Sequence, residues 1–131
     1  MAEEFASSIE PWLSVRRSAQ AVEFYRSAFG AVEVYRLDDE SGGVVVRLSV
    51  AGAEFWLSEE SPGHGDFGPD SAAGNSVRMI LTVSDPDVVF AQAIAAGASP
   101  VYPVTEAHGW RMGRIVDPFG YHWEIGRPLD R

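Results

Sequence analysis

Apolar and polar residues alternate from position 9, with Ile9, Pro11, Leu13 and Val15 on one parity and Glu10, Trp12 and Ser14 on the other. A period of two predicts a strand over 9–15. The period then lengthens. After Ser18, read as an N-cap, the apolar residues Ala21, Val22, Phe24, Tyr25 and Phe29 recur at helical spacing until Gly30, which predicts a helix closed by glycine. Three more strands are predicted over 31–37, 44–50 and 53–58, parted by turns at Gly42-Gly43 and Ala51-Gly52. The stretch from 59 to 75 holds Pro62, Gly63, Gly65, Gly68, Pro69 and Gly74 and reads as a long loop.

The same order then returns. A strand is predicted over 76–83, and Ser84-Asp85-Pro86-Asp87 opens a helix with proline in its first turn. Val88, Val89, Ala91, Ile94 and Ala95 are its predicted apolar face and Gly97 its stop. Strands follow over 99–104, 110–116 and 121–125, with a loop at 106–109 and an Asp117-Pro118-Phe119-Gly120 turn before the last. The letters repeat as well as the elements. Leu13-Ser14-Val15 maps onto Leu81-Thr82-Val83, Gly30-Ala31 onto Gly97-Ala98 with Tyr35 onto Tyr102, and Gly52 with Trp56 onto Gly120 with Glu124, at an offset of 67 to 68 positions. An internal duplication implies two units related by a pseudo-twofold axis.

Composition narrows the class. The chain has 131 residues, 46% hydrophobic and 22% charged, as expected of an ordinary globular domain. Each unit alone is near the size that struggles to bury a core, so one domain is expected rather than two. No run of 18 apolar residues and no charged-then-apolar leader occurs, so the expected compartment is the cytoplasm, without membrane insertion. The absence of cysteine excludes disulfides, thiolate ligands and cysteine nucleophiles. Ten basic against nineteen acidic side chains give a net charge of −9, which disfavours nucleic acid and anionic membrane and favours neutral or cationic partners.

The paired βαβββ units, the helix AVEFYRSAFGA, the helix end AIAAGA and the closing DPFGYHWEI resemble the vicinal-oxygen-chelate superfamily. That group includes glyoxalase I, extradiol dioxygenases, fosfomycin-modifying enzymes and bleomycin-resistance proteins. The resemblance runs from about Ile9 to about Pro128. It implies an α+β, glyoxalase/bleomycin-resistance-like fold in a single domain 1–131, with module one over 7–60, a linker over 61–75 and module two over 76–127. It also implies a homodimer whose site collects residues from both chains. It leaves the activity open, because one scaffold hosts many chemistries and some pure binders.

Strand parity turns the resemblance into a site map. Pro11, Leu13 and Val15, and likewise Val77, Met79, Leu81 and Val83, are expected in the core, leaving Glu10, Trp12, Arg78, Ile80, Trp56, His122 and Glu124 on a concave face. Metal-dependent relatives hold a divalent ion with two residues from each module. The resemblance carries those positions to Glu10, Trp56, Arg78 and Glu124. Glu124 matches the family pattern, Glu10 stands where His is usual, and an indole and a guanidinium are not metal ligands. The expected arrangement puts Arg78 between Glu10 and Glu124, ion-paired to Glu124 where the metal would sit. No cofactor is therefore expected, with a divalent metal on Glu10, Glu124 and His122 as the alternative.

Two function classes follow. The first is a metal-free binding protein similar to the bleomycin-resistance branch, which confers antibiotic resistance by sequestering an aromatic or cationic compound in a dimer-interface cavity. Its ligand surface is Glu10, Trp12, Trp56, Arg78, Trp110, Arg111, His122 and Glu124, with indole faces for stacking. The second is a metal-dependent glyoxalase- or dioxygenase-type enzyme with an atypical site. Metal-free acid–base catalysis by Glu124 or His122 is a third reading. Trp123, on the opposite parity, is expected in the core; Phe67 is a candidate lid, and His64 and His108 fall in loops. No Ser-His-Asp elbow and no glycine-rich phosphate loop is present.

Overall fold

The alternation at the start of the chain becomes β1 (Trp12–Val15), shorter than its predicted run because Pro11 has no N–H to give a ladder. Its carbonyl alone joins, accepting from Trp56 N–H at 2.9 Å. The computed structural model describes residues 6–69 and 77–130; the predicted strand start at Ser76 and linker positions 70–75 lie outside them. Next come α1 (Ser18–Phe29), β2 (Val32–Asp38), β3 (Val44–Val50) and β4 (Ala53–Glu59), then β5 (Met79–Thr82), α2 (Pro86–Ala96), β6 (Ser99–Ala107), β7 (Trp110–Val116) and β8 (His122–Pro128). Among the described residues no helix is long and apolar enough to cross a membrane.

Two four-stranded sheets result, ordered β1-β4-β3-β2 and β5-β8-β7-β6. β1 runs parallel to β4 with Trp12 opposite Trp56, and β5 runs parallel to β8 with Ile80 opposite Glu124. Across the sheets Tyr35, Arg47 and Trp56 form one row and Tyr102, Arg114 and Glu124 the other. The duplication is thus a repeat of register. Even the irregularity recurs, since β2 slips between Glu33 and Tyr35 and β6 between Pro100 and Tyr102. The change of offset between 67 and 68 comes from loop and helix lengths, including the longer turn that carries Asp117 into β8.

Several local expectations are corrected. Ser18 is the first helical residue and not the cap; Arg17 takes that place in a left-handed conformation. Capping passes to Glu59, whose carboxylate accepts from Arg17 N–H, Ser18 N–H and Ser18 Oγ at 2.9, 3.0 and 2.7 Å. Burial raises the Glu59 pKa, but those hydrogen bonds prevail and hold it below the ordinary value. Val77 precedes β5 and is 70% exposed, so it is not a core residue. On α2 the buried residues are Pro86 and Ala93, with Val89, Phe90 and Ile94 packed against the core, whereas Val88, Ala91 and Ala95 are exposed. An all-round apolar helix gives spacing nothing to select. The partner surface selects instead: a Cβ at Gly113 would come within 2.9 Å of the Phe90 ring. The predicted 106–109 loop narrows to a His108-Gly109 turn with φ of 55° and 81°, the positive-φ pair of a tight hairpin.

One apolar cluster runs through both modules. Tyr25 and Phe29 of α1 pack on Trp123 of β8 with ring centroids 5.7 and 4.9 Å apart, and Phe55 of β4 meets the same indole at 5.6 Å. Each such pair adds about 0.5–1.5 kcal/mol beyond area burial. Trp123 is core, as its parity predicted. At the centre Asp117, 4% exposed, accepts from Tyr25 hydroxyl (2.5 Å), Trp123 Nε1 (2.9 Å) and the N–H groups of Phe119 and Tyr121 (2.9 and 3.0 Å). Burial pushes its carboxyl pKa up while these four donors oppose the rise.

Candidate functional site

With α1 and α2 covering one face of each sheet, the opposite faces carry the predicted site residues, Arg111 excepted, in two separate groups. On sheet one, Glu10 lies beside β4 and accepts from Arg47 Nε and Trp56 Nε1, each at 3.0 Å, and from Arg47 Nη2. Arg47 also pairs with Glu54 at 2.7 Å. The Arg47 guanidinium, opposed by burial, holds the Glu10 pKa below its ordinary value. Trp12 stacks on Trp56 with centroids 5.1 Å apart and planes 7° from parallel, and Tyr35 approaches the same indole at 5.7 Å. Arg47 lies 5.4 Å from the Trp56 centroid, a cation–π distance. Trp12 remains 54% exposed. The surface is flat and aromatic, with its charges internally paired.

On sheet two, Arg78 Nε donates to Glu124 at 2.6 Å, the arginine half-exposed and the carboxylate nearly buried. Tyr102 hydroxyl donates to the same carboxylate at 3.5 Å. Arg114 Nε donates to His122 Nδ1 at 3.1 Å, which assigns the imidazole proton to Nε2. Burial and the Arg114 charge push the His122 pKa down, against a smaller pull from Asp117. Beside this group Tyr102, Thr105, Ala107, His108, Trp110 and Met112 line a 190 Å³ hollow.

The predicted residues are therefore brought together in pairs within a module. Residues 10 and 56 touch, and 78 and 124 touch, repeating one contact at the offset of the duplication. The expected placement of Arg78 between Glu10 and Glu124 is corrected: Glu10 is taken by Arg47, and no hydrogen bond or ion pair joins the two groups among the described residues. Arg111 is also corrected. One residue past Trp110 in a strand, it points to the helix side and grips Asp87 of α2 at 2.8 and 2.6 Å. Phe67 is exposed and lines a 670 Å³ hollow with Arg16, Arg17 and Phe119, at the junction between modules and not on either sheet face. His64 bonds Ser61 in its loop at 2.7 Å.

Sequence reasoning missed Tyr35, Arg47, Tyr102 and Arg114. The signal existed, since Tyr35 and Arg47 map onto Tyr102 and Arg114 at one offset, 67. Among the described residues no group of three or more His, Asp or Glu is arranged to hold a metal. The chemistry of the positions agrees: Glu10 and Glu124 are each engaged by an arginine, and the other two positions supply no donor. These residues do not fit a resident divalent ion.

The family model for a glyoxalase-like domain matches residues 12–126. The chain belongs to the glyoxalase-like family. Within this family's reach, an uncharacterised protein of Mycobacterium bovis is 35% identical over 134 residues, covering 98% of this chain and 88% of that one. The X-ray structure of an Arabidopsis thaliana gene product is 30% identical with a TM-score of 0.73, covering 94% of this chain and all of the other. The fosfomycin resistance protein FosX of Listeria monocytogenes, solved with Mn(II) and sulfate, shares the fold at a TM-score of 0.72 and 13% identity, with 96% and 95% of the two chains covered. The glyoxalase-like match places this chain in the vicinal-oxygen-chelate superfamily, and the solved structures share its α+β architecture of two similar modules.

Proposed function

We propose that this glyoxalase-like protein binds a small aromatic compound without a resident metal, in a cavity made when a homodimer brings the sheet-one face of one copy against the sheet-two face of the other. The observation that carries the reading is the Arg78–Glu124 ion pair at a position where metal-dependent relatives place ligands. A guanidinium there would repel a divalent ion and already neutralises the carboxylate. The stacked Trp12–Trp56 surface supports a flat ligand. A cationic ligand is less well served, because Glu10, Glu54 and Glu124 all have arginine partners. Sequestration in the manner of bleomycin-resistance proteins, and with it antibiotic resistance, belongs to this reading, as does a cytoplasmic location.

Metal analysis and thermal shift test it together. The purified protein is expected to hold no stoichiometric transition metal, and Mn, Ni or Zn is expected to leave its Tm unchanged while an aromatic ligand raises it by mass action. One tightly held ion per chain, lost on Glu124→Gln, would overturn the reading in favour of a glyoxalase- or dioxygenase-type enzyme that uses Glu10, Glu124 and His122. Sedimentation in the same buffer reports the dimer.

A further inference from the structure

The repeat of register makes one difference between the two sheet faces informative. Arg47 and Arg114 occupy the same place in their rows, each opposite a tyrosine on one side and a site residue on the other. Arg47 is clamped by two carboxylates, Glu10 and Glu54. The positions equivalent to those carboxylates in module two are Arg78 and His122, one a cation and the other an imidazole that accepts from Arg114. The single carboxylate nearby, Glu124, is engaged by Arg78. Arg114 therefore has no carboxylate partner among the described residues. Face one carries one more carboxylate than arginine, and face two one more arginine than carboxylate, inside a chain of net charge −9. A half-buried cation without a counter-charge is costly in a protein interior and favours an anion from outside.

A hollow adjoins it. Met112 is two residues from Arg114 on the same side of β7, and Tyr102 belongs both to the row of Arg114 and to the 190 Å³ lining. That volume suits one aromatic ring, being comparable with apolar cavities of about 150 Å³ that take benzene. The planar fork of an arginine matches a carboxylate or a phosphonate.

We propose that the sheet-two face binds a single-ring aromatic anion, its negative group on Arg114 and its ring in the hollow beside Trp110 and Met112. This inference rests on reading the face as a ligand surface, as above, but it assigns the ligand's charge, which net acidity alone would have put at the opposite sign. Excess acid elsewhere on the chain does not decide the local field, because screening confines exposed charges to about a Debye length of 8–10 Å.

Calorimetric titration with benzoate, phenylphosphonate, benzamide and benzamidine tests it on the full chain. Benzoate or phenylphosphonate is expected to bind, at least tenfold more tightly than neutral benzamide or cationic benzamidine, and the better of the two identifies the anionic group. Arg114→Met should weaken the anion at least tenfold and leave benzamide unchanged; Arg114→Lys should recover part of the loss, which separates charge from folding. Arg111→Met, on the helix side, should change nothing. Preference for benzamidine, no binding of either anion, or an Arg114→Met chain that binds the anion as tightly as the parent would each overturn the proposal. Sedimentation of the same samples keeps it distinct from the dimer. A monomer that binds benzoate supports the anion site and sinks the composite cavity, whereas a dimer that ignores benzoate and dissociates on Arg114→Met shows a partner carboxylate on Arg114 and sinks the anion site.

Discussion

Tyr121 straddles the backbone of Ser14, donating its hydroxyl to the Ser14 carbonyl at 2.8 Å and accepting from the Ser14 N–H at 2.9 Å. A side chain of module two thus satisfies both backbone groups on the free edge of β1, where a neighbouring strand would otherwise sit. Tyr121→Phe removes both bonds and leaves two part-buried groups unpaired, at a cost of about 1–3 kcal/mol. In urea the midpoint should fall with the slope unchanged; an unmoved midpoint would mean that water serves Ser14 equally well.

Asp117→Asn replaces an acceptor for four donors by a group that is itself half donor. Trp123 Nε1 cannot reverse its polarity, so one buried N–H is left facing another. A loss of at least about 2 kcal/mol is expected in the same titration.

Glu59 governs the acid limb. Its folded pKa lies below the ordinary carboxyl value, so its contribution is complete above the unfolded value and is lost as pH falls through the folded one. Glu59→Gln should cost about 0.5–2 kcal/mol at neutral pH and flatten the decline of Tm with acidification. A variant whose Tm falls in parallel with the parent's would contradict the assignment.

His122 titrates in the opposite chemical sense. As a base with a lowered folded pKa, it favours the neutral form, so its share of stability is full above the ordinary value of about 6.5 and declines as pH drops toward the folded one. Imidazole NMR should show its midpoint below that of an unfolded histidine. Arg114→Met should move it upward by removing the neighbouring charge.

Arg111→Ala should lower stability only slightly, as expected of an exposed ion pair screened by solvent, and leave ligand affinity intact. Any loss of binding would return Arg111 to the ligand surface.

The fold was legible because two signals agreed: alternation marked the strands, and the repeat at one offset marked their order twice. The Arg78–Glu124 pair was legible from the charges at those two positions, whereas the Glu10–Trp56 contact was not, because Glu10 was expected beside Arg78. What escaped lies where a partner decides. Glu59 caps α1 from 41 residues beyond Ser18, the buried side of α2 is chosen by Gly113, and Arg47 takes Glu10 through a cross-strand register that no linear spacing displays. The two sheet faces looked like one site because parity assigns a face without saying which faces meet.

The bond between Tyr25 and Asp117 also sets a clock for synthesis. The hydroxyl leaves the ribosome ninety-two residues ahead of its acceptor, a delay of about 5–18 s at ordinary elongation rates of roughly 5–20 residues per second. Throughout that interval the aromatic side of α1 lacks Trp123 and Phe119 as well. The first half of the nascent chain must wait with its stickiest surface uncovered, and a truncated message would release it in that state, as a target for chaperones and proteases.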